Sequence, residues 1–176
     1  QVLDSLGWRE RVGKKPAVWV SVDEQVLRVL DGDAIIWESP CATAAKGTGS
    51  EKDSYKTPLG WHEIFAKTGN GAPWGQVFRS GVPTAQVWKA GQRTREDLVL
   101  TRIFFLGGLE PGRNKGGNVD SRARYIYIHG TNDEAAIGTP SSQGCVRLRN
   151  DDVIALYELV PEGAKVLITE TRQASD

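Results

Sequence analysis

Short runs of β-branched and aromatic residues, divided by turn formers, recur from residue 17 almost to the C-terminus. Residues 17–22, 25–30 and 34–38 are three such runs. Asp23-Glu24 and Asp31-Gly32-Asp33 supply the turns of a β-meander. Residues 61–65, entered through Thr57-Pro58-Leu59-Gly60, and residues 98–106, 124–129 and 164–169 continue the cadence. Strand signals this regular, with few helical ones, predict a mainly β fold. One helix is expected after residue 149. Asn150 can cap it, Asp151 and Asp152 suit its positive end, and Val153, Leu156, Tyr157 and Val160 share a face. Pro161 and Gly163 stop it.

At 176 residues the chain fits one domain with a sizeable core. The expected organisation is an N-terminal arm or short helix over 1–16, a main domain over 17–170 and a tail over 171–176. Long Gly- and Pro-bearing connections at 66–97 and 107–123 are expected to be loops walling a cleft. Lys plus Arg and Asp plus Glu both total 22, so no electrostatic footprint for nucleic acid exists. The apolar runs are strand-sized, far short of a membrane span. The chain contains no methionine, which is compatible with a cleaved secretory signal or with trimming.

Chemistry concentrates in Ser141-Ser142-Gln143-Gly144-Cys145-Val146-Arg147-Leu148-Arg149, with His129-Gly130-Thr131 upstream. A cysteine in a β-rich chain is commonly an inert buried hydrophobe. Glycine before it changes the balance, because Gly144 permits a tight turn that exposes the next side chain. Amides of Gly144 and Cys145 can then donate to an oxyanion. A thiol attacks acyl groups as thiolate, and an adjacent imidazole can hold that thiolate at neutral pH. His129 is one of two histidines. A strand-end histidine is more often a satisfied polar group than a catalyst. As a base it needs one ring nitrogen facing the thiol and the other donating to a carbonyl, such as that of Gly130. His62, within Trp61-His62-Glu63, reads as structural, and two distant histidines make a poor metal site. Arg147 is placed to meet a substrate carboxylate bidentately, Arg149 is not, and Ser142 is expected to bond within the turn. Cys41 and Cys145 allow one disulfide. Free thiols are the favoured reading, with Cys41 in a packing role and pairing under oxidation left open.

His-Gly-Thr, a loop, and Ser-x-Gly-Cys-Val-Arg together resemble the L,D-transpeptidase catalytic-domain family of the YkuD or ErfK type. The likeness runs from about residue 17 to 170 and extends to Thr57-Pro58-Leu59-Gly60 and Ile137-Gly138-Thr139-Pro140. It implies a β-sandwich with a helix after the catalytic cysteine, in an exported, periplasmic or cell-envelope protein concerned with cell-wall organisation and cell shape. It implies Cys145 as nucleophile and His129 as base, supported by Gly130, Gly144 and Ser142. Arg147, Tyr127, Gln143 and Thr131 are implied as substrate-binding. The substrate class is peptidoglycan stem peptides: a tetrapeptide stem loses D-Ala to a cysteine thioester, and an amine acceptor completes a 3–3 cross-link or a protein attachment. Carbapenem β-lactams are the implied inhibitors, and no metal or organic cofactor is expected. One departure stands out. The family commonly has histidine where this chain has Gln143, and glutamine cannot exchange a proton at neutral pH. Water as acceptor (an L,D-carboxypeptidase) and a non-catalytic peptidoglycan-binding module are the competing readings.

Overall fold

In the computed structural model of the chain, residues 2–173 are described, and the mainly β fold is found. The meander forms as expected from β1 (Ala17–Ser21), β2 (Val26–Asp31) and β3 (Ala34–Pro40). The last strand, β10 (Lys165–Thr169), returns to lie parallel beside β1. Its other edge takes β4 (Gly60–Thr68), then β7 (Val99–Gly108), and β8 (Tyr127–Gly130) pairs with β7. A short β9 (Val146–Leu148) runs parallel to β8.

The sandwich arises from one sheet folding over on itself. The segment leaving β3 meets β9 again: the Ala42 and Arg147 amides donate to each other's carbonyls, both at 2.9 Å. Val18, Val20, Leu27 and Val29 from the meander thereby face Ile128, Val146 and Leu148 across one buried core. The helix α3 (Asn150–Leu159) closes that core with Val153 and Leu156.

Asn150 is inside the helix rather than capping it. Its backbone amide donates to Glu134 Oε2 at 2.7 Å, and this carboxylate meets the positive helix end. Its side chain is spent elsewhere: Nδ2 donates to Thr131 O at 2.8 Å, and Oδ1 accepts from Thr101 Oγ1 at 2.6 Å. The expected strand at 124–129 also begins later, because Tyr125 turns left-handed at φ 58°.

Residues 66–97 are only partly loop. They contain a hairpin of β5 (Gln76–Arg79) and β6 (Val82–Val87), joined by Ser80 and Gly81 at φ 52° and 76°. Two successive left-handed residues match the twist of paired strands. Val77 anchors the hairpin by packing with Trp88, Leu98 and Leu100. The N-terminal segment is two short helices, α1 (Val2–Ser5) and α2 (Trp8–Val12), that pack on the outer face of the sheet. Trp8 stacks 5.7 Å from Trp61 and covers Ala17, Trp19 and Leu167. Residues 174–176 of the expected tail lie outside the described residues.

Candidate active site

Parallel pairing sets Ile128 beside Val146 and His129 beside Arg147. One step back brings Tyr127 level with Cys145. Side chains alternate along strands, so Ile128 and Val146 enter the core while Tyr127, His129, Cys145 and Arg147 share the opposite face. A separation of 16 residues thereby closes to a diagonal across two strands, about 8 Å between Cα atoms from ideal strand spacings.

The imidazole is buried, and Nδ1 donates to Gly130 O at 2.6 Å. A carbonyl can only accept, so Nε2 carries the lone pair. This is the tautomer-fixing bond anticipated for His129. Gly130 is glycine for reasons of space: a Cβ there would come 2.5 Å from Asn150 Oδ1 and 2.7 Å from Leu100 O.

Cys145 is half-buried, and its sulfur is held by backbone. The Tyr127 amide donates to Sγ at 3.3 Å, and the thiol donates to Tyr125 O at 3.5 Å. Among the described residues no hydrogen bond joins this sulfur to His129. Such catalytic contacts are often long at rest and tighten with substrate. Burial pushes the Cys145 thiol up to about 11, against the Tyr127 amide bond, which lowers it. Asp97 raises it further, and Arg147 and Arg124 lower it. Burial also lowers the His129 imidazole below its usual range, opposed by the Gly130 bond and by Asp97. Burial thus favours the neutral form of both the thiol and the imidazole. Desolvation opposes the thiolate expected from the sequence, while Arg147 and Arg124 favour it.

The turn before Cys145 is cross-braced. Gly144 adopts φ 128°, a conformation that favours glycine. Its carbonyl accepts from Thr57 Oγ1 at 2.9 Å, and Thr57 Oγ1 in turn accepts from the Ala44 amide at 2.9 Å. Ser142 Oγ accepts from the Gly144 amide at 3.2 Å and donates to Cys145 O at 2.6 Å. The Gly144 amide is thus occupied, contrary to the expected pair of oxyanion donors. The Cys145 amide has no hydrogen-bond partner among the described residues. It is the free donor at the turn.

The remaining candidates divide. Gln143 is exposed and, with Ser141, Arg147 and the 92–97 loop, lines a cavity of about 730 Å³. Tyr127 is half-buried against Phe105, ring centroids 4.7 Å apart. Thr131 is fully buried, and its hydroxyl accepts from the Asp133 amide at 3.1 Å. The Arg147 guanidinium pairs with Asp97 instead of pointing into open space, because a buried cation needs a counter-charge. Arg149 is exposed. Cys41 lies in the core, and both cysteines are free thiols. His62 is structural: Nδ1 donates to Gly60 O at 3.1 Å, and Nε2 meets Ser121 Oγ at 2.9 Å. Among the described residues no set of three His, Cys, Asp or Glu could hold a metal.

Sequence reasoning missed Asp97, Arg124 and the bracing role of Thr57. Arg124 donates to Lys56 O at 2.7 Å and pins the segment that carries Thr57. Of these, only Thr57 had a local signal, its Thr-Pro-x-Gly setting.

A family model described as the L,D-transpeptidase catalytic domain matches residues 15–168. The probable L,D-transpeptidase ErfK/SrfK of Salmonella typhimurium is 33% identical over 115 residues, 65% of this chain and 33% of that protein. The putative L,D-transpeptidase YkuD of Bacillus subtilis is 54% identical over 61 residues, 32% of this chain and 37% of that protein. The chain thus matches only about a third of the length of these curated relatives. Among solved structures, L,D-transpeptidase 3 from Mycobacterium tuberculosis, in complex with a faropenem-derived adduct, has a TM-score of 0.52 at 16% identity. It is matched over 88% of this chain and 61% of its own, a likeness of fold.

Proposed function

The chain belongs to the L,D-transpeptidase catalytic-domain family, and on that premise we propose that it is a cell-envelope cysteine acyltransferase acting on peptidoglycan tetrapeptide stems. The observation that carries the reading is the shared face of β8 and β9. It carries Cys145 and a tautomer-fixed His129 on the same side as Arg147, which with Gln143 lines the neighbouring cavity.

Cys145 Sγ attacks the carbonyl carbon of the third stem residue, and His129 Nε2 takes the thiol proton. Because burial favours the neutral form of both groups, proton transfer accompanies S–C bond formation and charge develops only on the way to the tetrahedral intermediate. The Cys145 amide donates to the oxyanion. Collapse breaks the C–N bond, the imidazolium returns its proton to the departing D-Ala amine, and a thioester remains. An acceptor amine, deprotonated by His129, then displaces Sγ and completes a cross-link or a protein attachment. Gln143 at the rim and Tyr127 on the cleft face contact the stem. Gln143 shapes the loop there without titrating. Carbapenems acylate the same sulfur by opening their lactam ring.

Purified tetrapeptide muropeptide separates the outcomes. D-Ala release with cross-linked dimer supports transpeptidation, and D-Ala release with tripeptide alone assigns water as acceptor. Binding to sacculi without D-Ala release would contradict the catalytic reading.

A further inference from the structure

Arg147 stands beside His129 in the β8–β9 ladder, and its side chain is almost wholly buried. One carboxylate meets it. Asp97 pairs with Nη2, Nη1 donates to Ser141 O at 3.3 Å, and Nε has no partner among the described residues. Asp97 comes from the loop joining β6 to β7, and a single side chain fixes both of its flanks. Asn132 Oδ1 accepts from the Leu98 amide at 3.0 Å, and Asn132 Nδ2 donates to Glu96 O at 3.0 Å. Asn132 lies two residues beyond Gly130, so the strand end that presents the imidazole also aims Asp97.

We propose that Asp97, delivered by the Asn132 clamp, is a positioning residue for the Cys145–His129 pair, holding Arg147 against the cleft wall and neutralising its charge beside the imidazole. The inference rests on the acyltransfer reading above. When Cys145 hands its proton to His129, an imidazolium must form next to a guanidinium. In a poorly solvated wall the two cations repel strongly unless an anion is set between them. Asp97 is that anion. Arg124 stands just ahead of β8, and Arg93, Arg95, Glu96 and Asp133 line the cavity beside Arg147; Glu96 pairs with Arg79, and Asp97 is the carboxylate on the Arg147 guanidinium.

Asp97→Asn leaves Arg147 and Arg124 unopposed, which favours thiolate and disfavours imidazolium. Two rates are then expected to move apart. Alkylation of Cys145 by iodoacetamide, in which the S–C bond forms, iodide leaves and the thiol proton passes to solvent, should accelerate. Each unit by which the thiol is lowered raises the thiolate fraction about tenfold at pH 8 and, after the lost nucleophilicity of the weaker base, the rate about threefold. D-Ala release should slow. Asp97→Glu should keep both near wild type, and Asp97→Asn with Arg147→Gln should return alkylation toward wild type, which a merely loosened fold would not do. An Asp97→Asn alkylation profile identical to wild type, or a double variant as reactive as the single one, would overturn the proposal. The alkylation arm needs no peptidoglycan. A wild-type protein that releases no D-Ala would therefore count against the acyltransfer reading alone.

Discussion

At the scale of single residues, the proposed acyltransfer starts from groups whose burial favours their neutral forms. His129 must be unprotonated to accept the thiol proton, and burial holds it below its usual 6.5. Acylation by a carbapenem is therefore expected to run at a pH-independent rate from roughly pH 7 to 9 and to fall only below 6.5. A stopped-flow series at constant ionic strength measures it. A rise centred on about 8.5, where an ordinary cysteine ionises, would show that thiolate alone sets the rate. Thr57 is the second residue-scale test. Thr57→Val removes the donor to Gly144 O and the acceptor of the Ala44 amide, both buried. Unsatisfied buried groups cost about 1–3 kcal/mol each. Turnover should drop by about tenfold or more as the turn loses its brace, with a folded circular dichroism spectrum retained. The Cys145 and His129 candidates were legible because glycine and the strand end mark them locally. Asp97 was not, since it pairs with Arg147 across 50 residues from a loop crowded with charges.

At the scale of elements, the end of β8 is wedged between β7 and α3. Gly130→Ala would push a methyl carbon to 2.5 Å from Asn150 Oδ1 and 2.7 Å from Leu100 O. Overpacking of this kind destabilises by about 1–3 kcal/mol. It also displaces the carbonyl that fixes the imidazole, so urea titration should show reduced stability and D-Ala release should fall together with it. The meander, β4, β7 and β10 could be read from sequence because each carries a run of apolar or β-branched residues. The β5–β6 hairpin was hidden by Pro83 and by its exposed β6, in which Thr84 alone is partly buried. Asn150 resembled a helix cap for good local reasons. Its side chain is committed instead to Thr101 and Thr131, partners that only tertiary structure brings near.

At the scale of the whole molecule, both buried histidines tie stability to pH, and His62 does so away from the site. The unfolded His62 imidazole takes up a proton near 6.5, whereas burial holds the folded one to about 4. Stability is thus full above pH 6.5 and declines as pH falls toward 4. Between pH 6.5 and 4.5 the loss should be about 2–3 kcal/mol from this group, before Glu24, held at about 2 by its bond to Arg28, contributes below 4.5. Denaturant titrations of wild type and His62→Gln across that window give the difference, and an unchanged slope would refute the assignment. The closing of one sheet around its core, through Ala42 and Arg147, was beyond sequence because no local pattern announces which strand edges will meet. The proposed acyl acceptor is Cys145 Sγ. Intact-mass measurement after carbapenem exposure tests it most directly. One covalent adduct on the wild-type chain and none on Cys145→Ala is the predicted result; an adduct of equal yield on Cys145→Ala would contradict it.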